Sequence, residues 1–211
     1  MGWSDYRVTP TGTVCLAASA DLPPAKWATP DHALQYLEAR RADLAKAQAE
    51  LNGRRNLAAR VGVVLRMGAL LDAAGVAYAT RQIGEDAWQR WRLVALGERG
   101  RMLLGGGPAA LPPRWAGPAD ARGYLEAQRR TLGEARDRVD FARAELATPG
   151  SQHRQQAMYA HLIVCLGAAL DSVACTYATS YIEEAEYRRR RAELVSLYAR
   201  QSVMELAELR G

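Results

Sequence analysis

The chain contains one sequence unit twice, and this duplication constrains its fold more than any other feature. The segment LPPAKWATPDHALQYLEARR begins at Leu22, and the similar LPPRWAGPADARGYLEAQRR follows later in the chain. GALLDAAGVAYAT, from Gly68, and GAALDSVACTYAT, from Gly167, form a second matched pair. The matched Trp27 and Trp115 are 88 positions apart, whereas the two glycines are 99 apart, so the second copy is longer. A repeated sequence predicts a repeated structural unit.

Each copy opens with a helix start. Thr29-Pro30 and Gly117-Pro118 have the form of an N-cap residue followed by proline at the first helical position. The residues that follow recur in steps of three and four, which is typical of the a/d seam of a coiled-coil-like helix. The seam comprises Leu125, Gln128, Leu132, Ala135, Val139, Ala142 and Leu146 in the second copy, and Leu37, Arg40, Leu44, Ala47 and Leu51 in the first.

A second, longer helix is predicted after a breaker in each copy. The breakers are Asn52-Gly53 and residues 148–151, and the helices that follow extend over about 54–101 and 151–209 because no proline interrupts them. The sequence therefore predicts an all-α fold in which two long αα-hairpins form a four-helix, coiled-coil-like bundle. The predicted divisions are an N-terminal extended arm, with β-strand as one option (1–21), hairpin repeat 1 (22–101), a Gly/Pro linker (102–117) and hairpin repeat 2 (118–211).

The predicted second helices each contain a segment that is apolar and small nearly all the way round, beginning at Val61 and at Met158. Such a helix is buried on most sides, either in protein or in lipid. Because Asp72 and Asp171 interrupt these segments, and an ionised group in hydrocarbon is costly, burial in protein is favoured over a membrane span.

A four-helix chain has a limited interior, so we expect these segments to lie in the core of an assembly of subunits. Their small residues permit close contact between helices across such an interface. The residues assigned to interface packing are Gly68, Ala69, Gly75, Gly167, Ala168 and Ala174.

Asp72 and Asp171 occupy matched positions in these apolar segments. A buried carboxyl must have a fixed partner or be protonated. Arg66, His161 or an arginine of a neighbouring subunit are the candidate partners. The alternative is a paired-carboxylate acid/base site or proton relay, which needs a substrate pocket, so structural pairing is favoured.

Aromatic residues offer candidate partner contacts. Trp88 and Trp91 are followed by Arg90 and Arg92, an arrangement that suits stacking on bases or a membrane interface. Trp88 matches Tyr187 in the second copy, however, which favours an aromatic packing position. Trp88, Trp91 and Tyr187 are therefore candidate partner contacts with internal packing as the alternative.

The run EEAEYRRRRAE resembles a nucleic-acid-binding patch when its arginines are read alone. On a helix, Glu184 and Arg188 are four residues apart, as are Glu186 and Arg190, in the favoured order for an ion pair. The run therefore predicts a salt-bridged, solvated helix face.

Signals for catalysis or metal binding are weak. His32, His153 and His161 lack metal-ligand spacing, and the cysteines, Cys15, Cys165 and Cys175, include no CxxC pair. We therefore expect a protein that is not an enzyme, with no cofactor or metal, and with free thiols.

The favoured function is a noncatalytic helical structural or assembly protein. It would be a subunit of a homo-oligomer or of a larger complex such as a phage particle or a bacterial machine, cytoplasmic or virion-associated, since the N-terminus has no secretory signal pattern. One alternative is a membrane-inserting helical hairpin. The other is a nucleic-acid-binding protein that uses arginine-rich helix faces, although a net charge of +5 is modest for that role.

Overall fold

The computed structural model describes residues 6–8, 14–16, 23–54, 56–103, 111–144 and 151–198. In these ranges the predicted all-α fold is confirmed, with one small addition near the N-terminus. Strands β1 (Tyr6–Val8) and β2 (Val14–Leu16) pair antiparallel, with Arg7 opposite Cys15. The six helices of the described ranges are α1 (Pro30–Arg54), α2 (Leu57–Ala79), α3 (Glu85–Leu103), α4 (Pro118–Ala144), α5 (Ser151–Ala178) and α6 (Glu184–Tyr198).

The helix starts predicted at the two prolines are confirmed. Helix α1 begins at Pro30 and helix α4 begins at Pro118. In α4 the carboxylate of Asp120 accepts a hydrogen bond from the Ala116 backbone N–H at 2.6 Å, which fixes the approach to the first turn. Proline is suited to this position because its missing N–H has no partner inside the helix.

The break predicted at Asn52-Gly53 is present, but it lies after these residues, between Arg54 and Leu57. Helix α1 continues through both residues to Arg54, and the turn into α2 follows directly. The side chain of Asn56 caps α2 by accepting a hydrogen bond from the Ala59 N–H at 2.9 Å. Glycine costs a helix only about 1 kcal/mol, and Gly53 lies in the last turn of α1. The second predicted breaker lies mostly in 145–150, outside the described residues.

The prediction of one long second helix in each copy is wrong, because each of these helices is interrupted near its middle. Helix α2 ends at Ala79 and helix α5 at Ala178, and after a short turn α3 and α6 begin. Arg81 and Ser180 adopt left-handed φ values of 64° and 63°. The N–H groups of residues 81 and 82, and of 180 and 181, fold back onto carbonyls of the helix end, as in a Schellman motif. Glycine is the usual residue at this position, so its absence concealed both breaks.

The left-handed residue predicts a stabilising substitution. Ser180 is exposed, and its left-handed backbone conformation has a free-energy cost that glycine does not have. We expect Ser180→Gly to raise the free energy of unfolding by about 1 kcal/mol, measured by urea denaturation. Ser180→Ala is the matched control and should give no gain, since alanine keeps the Cβ. Equal stability of the two variants would contradict the assigned helix end.

Helices α2 and α5 form the central pair of the fold. Helices α1 and α3 pack on α2, and helices α4 and α6 pack on α5. At Gly68 and Gly167 the two central backbones touch. A Cβ at Gly68 would lie 2.1 Å from the carbonyl oxygen of Val164, and one at Gly167 would lie 2.0 Å from that of Leu65. Neither site accommodates a side chain.

The central helices are covered within a single chain. Segments Ala58–Ala79 and Ala157–Ala178 are long and apolar enough to span a membrane, with mean hydropathies of 1.5 and 1.6, yet 78% of each is buried inside the molecule. The breaks after α2 and α5 explain this, because the outer helices α3 and α6 turn back and enlarge the interior beyond that of a four-helix bundle.

This arrangement corrects the prediction that the small residues pack between subunits. Gly68 and Gly167 join α2 to α5 of the same chain, and Ala69 and Ala174 are buried as well. A Cβ at Gly75 would lie 3.8 Å from the Tyr124 hydroxyl oxygen, so this residue faces helix α4. Ala168, the remaining residue of the six that were assigned to an interface, is half-buried.

Candidate functional site

Asp171 is the centre of a buried polar cluster. Its Oδ1 accepts hydrogen bonds from the Tyr36 hydroxyl at 2.8 Å and from Arg40 Nε at 3.1 Å. Arg40 also donates to the Tyr36 hydroxyl oxygen, and the Cys175 thiol donates to Asp171 Oδ2 at 3.5 Å. These four residues form the Asp171 cluster. The side chain of Asp171 is fully buried and that of Arg40 nearly so, so their ion pair is shielded from solvent.

Asp72 is the centre of a second cluster. Its Oδ1 accepts hydrogen bonds from the Tyr124 hydroxyl and, at 2.9 Å, from Gln128 Nε2. Gln128 Nε2 also lies 2.8 Å from the Tyr124 hydroxyl oxygen, to which it donates. These three residues form the Asp72 cluster. The remaining carboxyl oxygen, Asp72 Oδ2, is buried and has no hydrogen-bond partner.

The two clusters use residues at matched sequence positions in a crossed manner. Tyr36 and Tyr124 are 88 apart, and Asp72 and Asp171 are 99 apart, which are the spacings of the duplicated segments. The tyrosine of the first copy contacts the aspartate of the second, and the tyrosine of the second contacts the aspartate of the first. Each cluster therefore joins the two halves of the chain.

The entry segments are crossed in the same way. The Trp27 N–H donates to the Ala178 carbonyl at 2.7 Å, and the Trp115 N–H donates to the Ala79 carbonyl at 2.9 Å. A cation precedes each tryptophan and lies over a tyrosine ring of the opposite half. Lys26 is 3.4 Å from the ring centroid of Tyr177, and the Arg114 guanidinium is 3.5 Å from that of Tyr78.

The clusters differ in charge. Arg40 occupies the position in the first copy that Gln128 occupies in the second, so Asp171 is paired with a guanidinium and Asp72 with a neutral amide. Burial raises the pKa of Asp72 well above its usual range, and the Tyr124 hydrogen bond only partly opposes this effect. Burial also raises the pKa of Asp171, but there the positive charge of Arg40 opposes it.

The predicted partners of the aspartates are wrong. Arg66 Nη1 donates to the Gly62 carbonyl at 3.0 Å in its own helix. His161 lies 3.7 Å from the Cys165 sulfur, and burial lowers the pKa of this imidazole. The true partners are on α1 and α4, because both aspartates face the first helix of the opposite half. A signal was present in the sequence, since Arg40 and Gln128 are the polar members of otherwise apolar seams.

The aromatic candidates divide into two kinds. Trp88 and Tyr187 are buried, with ring centroids 5.8 Å from Tyr78 and 5.2 Å from Tyr177, respectively. Their assignment as partner contacts is wrong, because both pack at the turns after the central helices. Trp91 is half-buried and packs on the same apolar cluster as Trp88.

The predicted salt-bridged face of α6 is confirmed. Arg188 lies 2.7 Å from Glu184, and Arg190 lies 2.9 Å from Glu186. Arg190 also pairs with Glu126 of α4 at 2.7 Å. Arg190 therefore links helices α4 and α6, whereas Arg188 pairs within α6.

Cys165 and Cys175 are buried free thiols, and the Cys15 side chain lies outside the described residues. Within the part of the chain that the structure describes, no three His, Cys, Asp or Glu side chains are grouped as metal ligands. Comparison of the chain with protein-family models, with curated proteins and with solved structures finds no match.

Proposed function

We propose that the chain is a noncatalytic helical structural protein built by internal duplication. Each half is an αα-hairpin extended by one outer helix, and the halves dock through the Asp72 and Asp171 clusters. The crossed pairing of Tyr36 with Asp171 and of Tyr124 with Asp72 carries this proposal. Buried polar contacts at matched positions favour one docking register over alternatives.

The chemistry of these groups supports a structural role rather than a catalytic one. The carboxyls, tyrosines and guanidinium of the clusters form hydrogen bonds with one another across the two halves. Burial raises the pKa of Tyr36 and of Tyr124 well above the usual range, so both phenols stay neutral donors. A neutral phenol that donates a hydrogen bond to a carboxyl stabilises the contact between the halves and is a poor nucleophile.

We further propose that the protein is a subunit of a homo-oligomer or of a larger complex, such as a phage particle or a bacterial machine, in the cytoplasm or in a virion. Since α2 and α5 are covered within one chain, contacts between subunits would use the outer helices. Helix α3 offers the adjacent apolar side chains Leu93 and Val94, which are 52% and 43% exposed. Apolar side chains at neighbouring exposed positions are typical of interaction surfaces.

A mass measurement in solution tests this assembly. We expect light scattering on the purified chain to give a multiple of the 23.1 kDa monomer mass. The double variant Leu93→Gln/Val94→Gln should lower that mass, because polar side chains weaken an apolar contact. The control is Leu34→Gln, which alters an exposed leucine on α1 and should leave the mass unchanged. A wild-type chain that stays monomeric up to high concentration would contradict the homo-oligomer.

A membrane-inserting helical hairpin is the second candidate. The observation that favours it is the pair of 22-residue apolar segments in α2 and α5. Insertion would require these helices to leave their partners α1 and α4 and to expose Asp72 and Asp171 to lipid, which is costly. Flotation of the protein with liposomes distinguishes the two candidates, since the structural protein should remain at the bottom of the gradient.

The nucleic-acid alternative has no specific observation in its favour. Arg188, Arg189 and Arg190 of α6 lie beside glutamates of α4 and α6, so their charge is locally balanced, and the neighbouring Arg191 is buried. A nucleic-acid-binding face would instead present unbalanced positive charge to phosphates.

A further inference from the structure

The two aspartate clusters match in position but not in charge. In the Asp171 cluster, a guanidinium and a phenol donate to the carboxyl. In the Asp72 cluster, the guanidinium is replaced by the neutral amide of Gln128. A buried carboxylate is stable when a cation compensates it, and without one it tends to take up a proton. The structure thus supplies a counter-ion for one carboxyl of the pair.

The groups that act on Asp72 come from helices α4 and α5. Tyr124 and Gln128 approach from α4, while Asp171 and Cys175 lie on α5. Helix α1 contributes Tyr36 and Arg40, which bind Asp171. Among the described side chains of α3, none is a charged group acting on Asp72. The charged group that acts on Asp72 is the carboxyl of Asp171, which itself binds Arg40.

The unpartnered oxygen of Asp72 also favours a protonated carboxyl at this position. Asp72 Oδ1 accepts two hydrogen bonds, whereas Oδ2 is buried without a partner. An anionic oxygen buried with no donor costs far more free energy than a buried hydroxyl group does. The arrangement suits a neutral carboxylic acid whose carbonyl oxygen is Oδ1 and whose hydroxyl is Oδ2.

We propose that Asp72 is a proton-binding site that couples the docking of the two halves to pH. The carboxyl is protonated when Tyr124 and Gln128 of α4 contact Asp72 of α2, and loss of this proton loosens that contact. The contact at Asp171 persists, because Arg40 balances that carboxylate. The Asp72 cluster is thus the one whose contacts weaken as pH rises.

A surface groove brings solvent close to this site. The groove lies between α4, α5 and α6, and Gln128, which donates to Asp72, is among its lining residues. Arg129, Arg190 and Glu193 are the charged residues that line the groove. Two of the lining residues, Ala169 and Arg190, are replaced at the matched positions of the first half by the larger apolar residue Leu70 and by Trp91, respectively.

The sign of the pH dependence follows from proton linkage. The pKa of Asp72 is raised in the folded protein by burial, whereas in the unfolded chain it is about 3.9. Between these two values the folded state holds a proton that the unfolded state has lost. Stability is therefore greatest on the acid side and falls as pH rises, by about tenfold in the folding equilibrium constant per pH unit for one proton.

Urea denaturation from about pH 5 to about pH 9, on the wild-type chain and on Asp72→Asn, tests the proposal. Asparagine resembles the neutral acid in shape and cannot ionise, so this variant should fold and should lack the Asp72 contribution to the pH dependence. We expect the ratio of the folding constants, variant to wild type, to rise by up to about tenfold per pH unit. A ratio that stays constant with pH, or a variant that fails to fold, would overturn the proposal.

Infrared spectroscopy gives a second, independent readout. A protonated carboxyl has a C=O stretch that a carboxylate lacks, and at neutral pH we expect this band in the wild type and not in Asp72→Asn. The variant Gln128→Arg supplies the missing cation in place of the amide and should also remove the band, by ionising Asp72. A band unchanged by Asp72→Asn would assign the proton to another group and refute the site.

Discussion

Replacing Gly68 with alanine is expected to lower the free energy of unfolding by about 3 kcal/mol, which is at the upper end of the range for overpacked cores. The added Cβ would lie 2.1 Å from the carbonyl oxygen of Val164, and a backbone atom inside a helix cannot move aside without its whole segment. The central pair α2 and α5 must separate to admit the methyl group. Gly167→Ala should have a similar effect, because its Cβ would lie 2.0 Å from the Leu65 carbonyl oxygen. Urea denaturation measures both.

Gly75→Ala is the matched control in the same helix. Its Cβ would lie 3.8 Å from the Tyr124 hydroxyl oxygen, which is an ordinary contact distance. Alanine is a better helix former than glycine by about 1 kcal/mol, so this variant should be as stable as the wild type or more stable. If Gly68→Ala and Gly75→Ala had equal stability, the close approach of α2 and α5 at Gly68 would be refuted.

Local signals made part of this fold predictable from the sequence. The proline starts of α1 and α4 follow from backbone chemistry within a few residues. The apolar seam of α4 predicted the buried side chains Leu125, Leu132 and Val139. The ion pairs of α6 follow from residue spacing on a single helix. Each of these predictions depends on contacts between residues near one another in the chain.

The ends of the central helices were not predictable in the same way. Arg81 and Ser180 occupy left-handed positions where glycine is the expected signal, so each helix seemed to continue. That single error had consequences for the whole molecule. Without α3 and α6 as separate outer helices, α2 and α5 lacked sufficient cover, and a neighbouring subunit was inferred to supply it.

The partners of Asp72 and Asp171 could not be read from sequence because they depend on how the two halves dock. Tyr36 and Asp171 are separated by 135 positions, and Tyr124 and Asp72 by 52. What the sequence did show was a polar residue, Arg40 or Gln128, in each apolar seam.

This pairing predicts unequal outcomes at two matched positions. Asp171→Asn should lower the free energy of unfolding by about 3 kcal/mol, because it removes the buried counter-ion of Arg40 and leaves the partly exposed Asp43, 3.7 Å away, as the carboxylate beside it. Asp72→Asn leaves no cation unpaired and should cost little. The difference arises mainly from Arg40, since each aspartate is also held by a tyrosine.

A double-mutant cycle isolates the contribution of the ion pair. Arg40→Gln gives the first cluster the residue that the second cluster already has, so Arg40→Gln/Asp171→Asn removes both charges together. We expect the double variant to be more stable than Asp171→Asn alone, with a coupling energy of about 1–3 kcal/mol between the two sites. Urea denaturation of the four proteins gives this energy. Strictly additive losses would show that the guanidinium and the carboxylate do not stabilise each other.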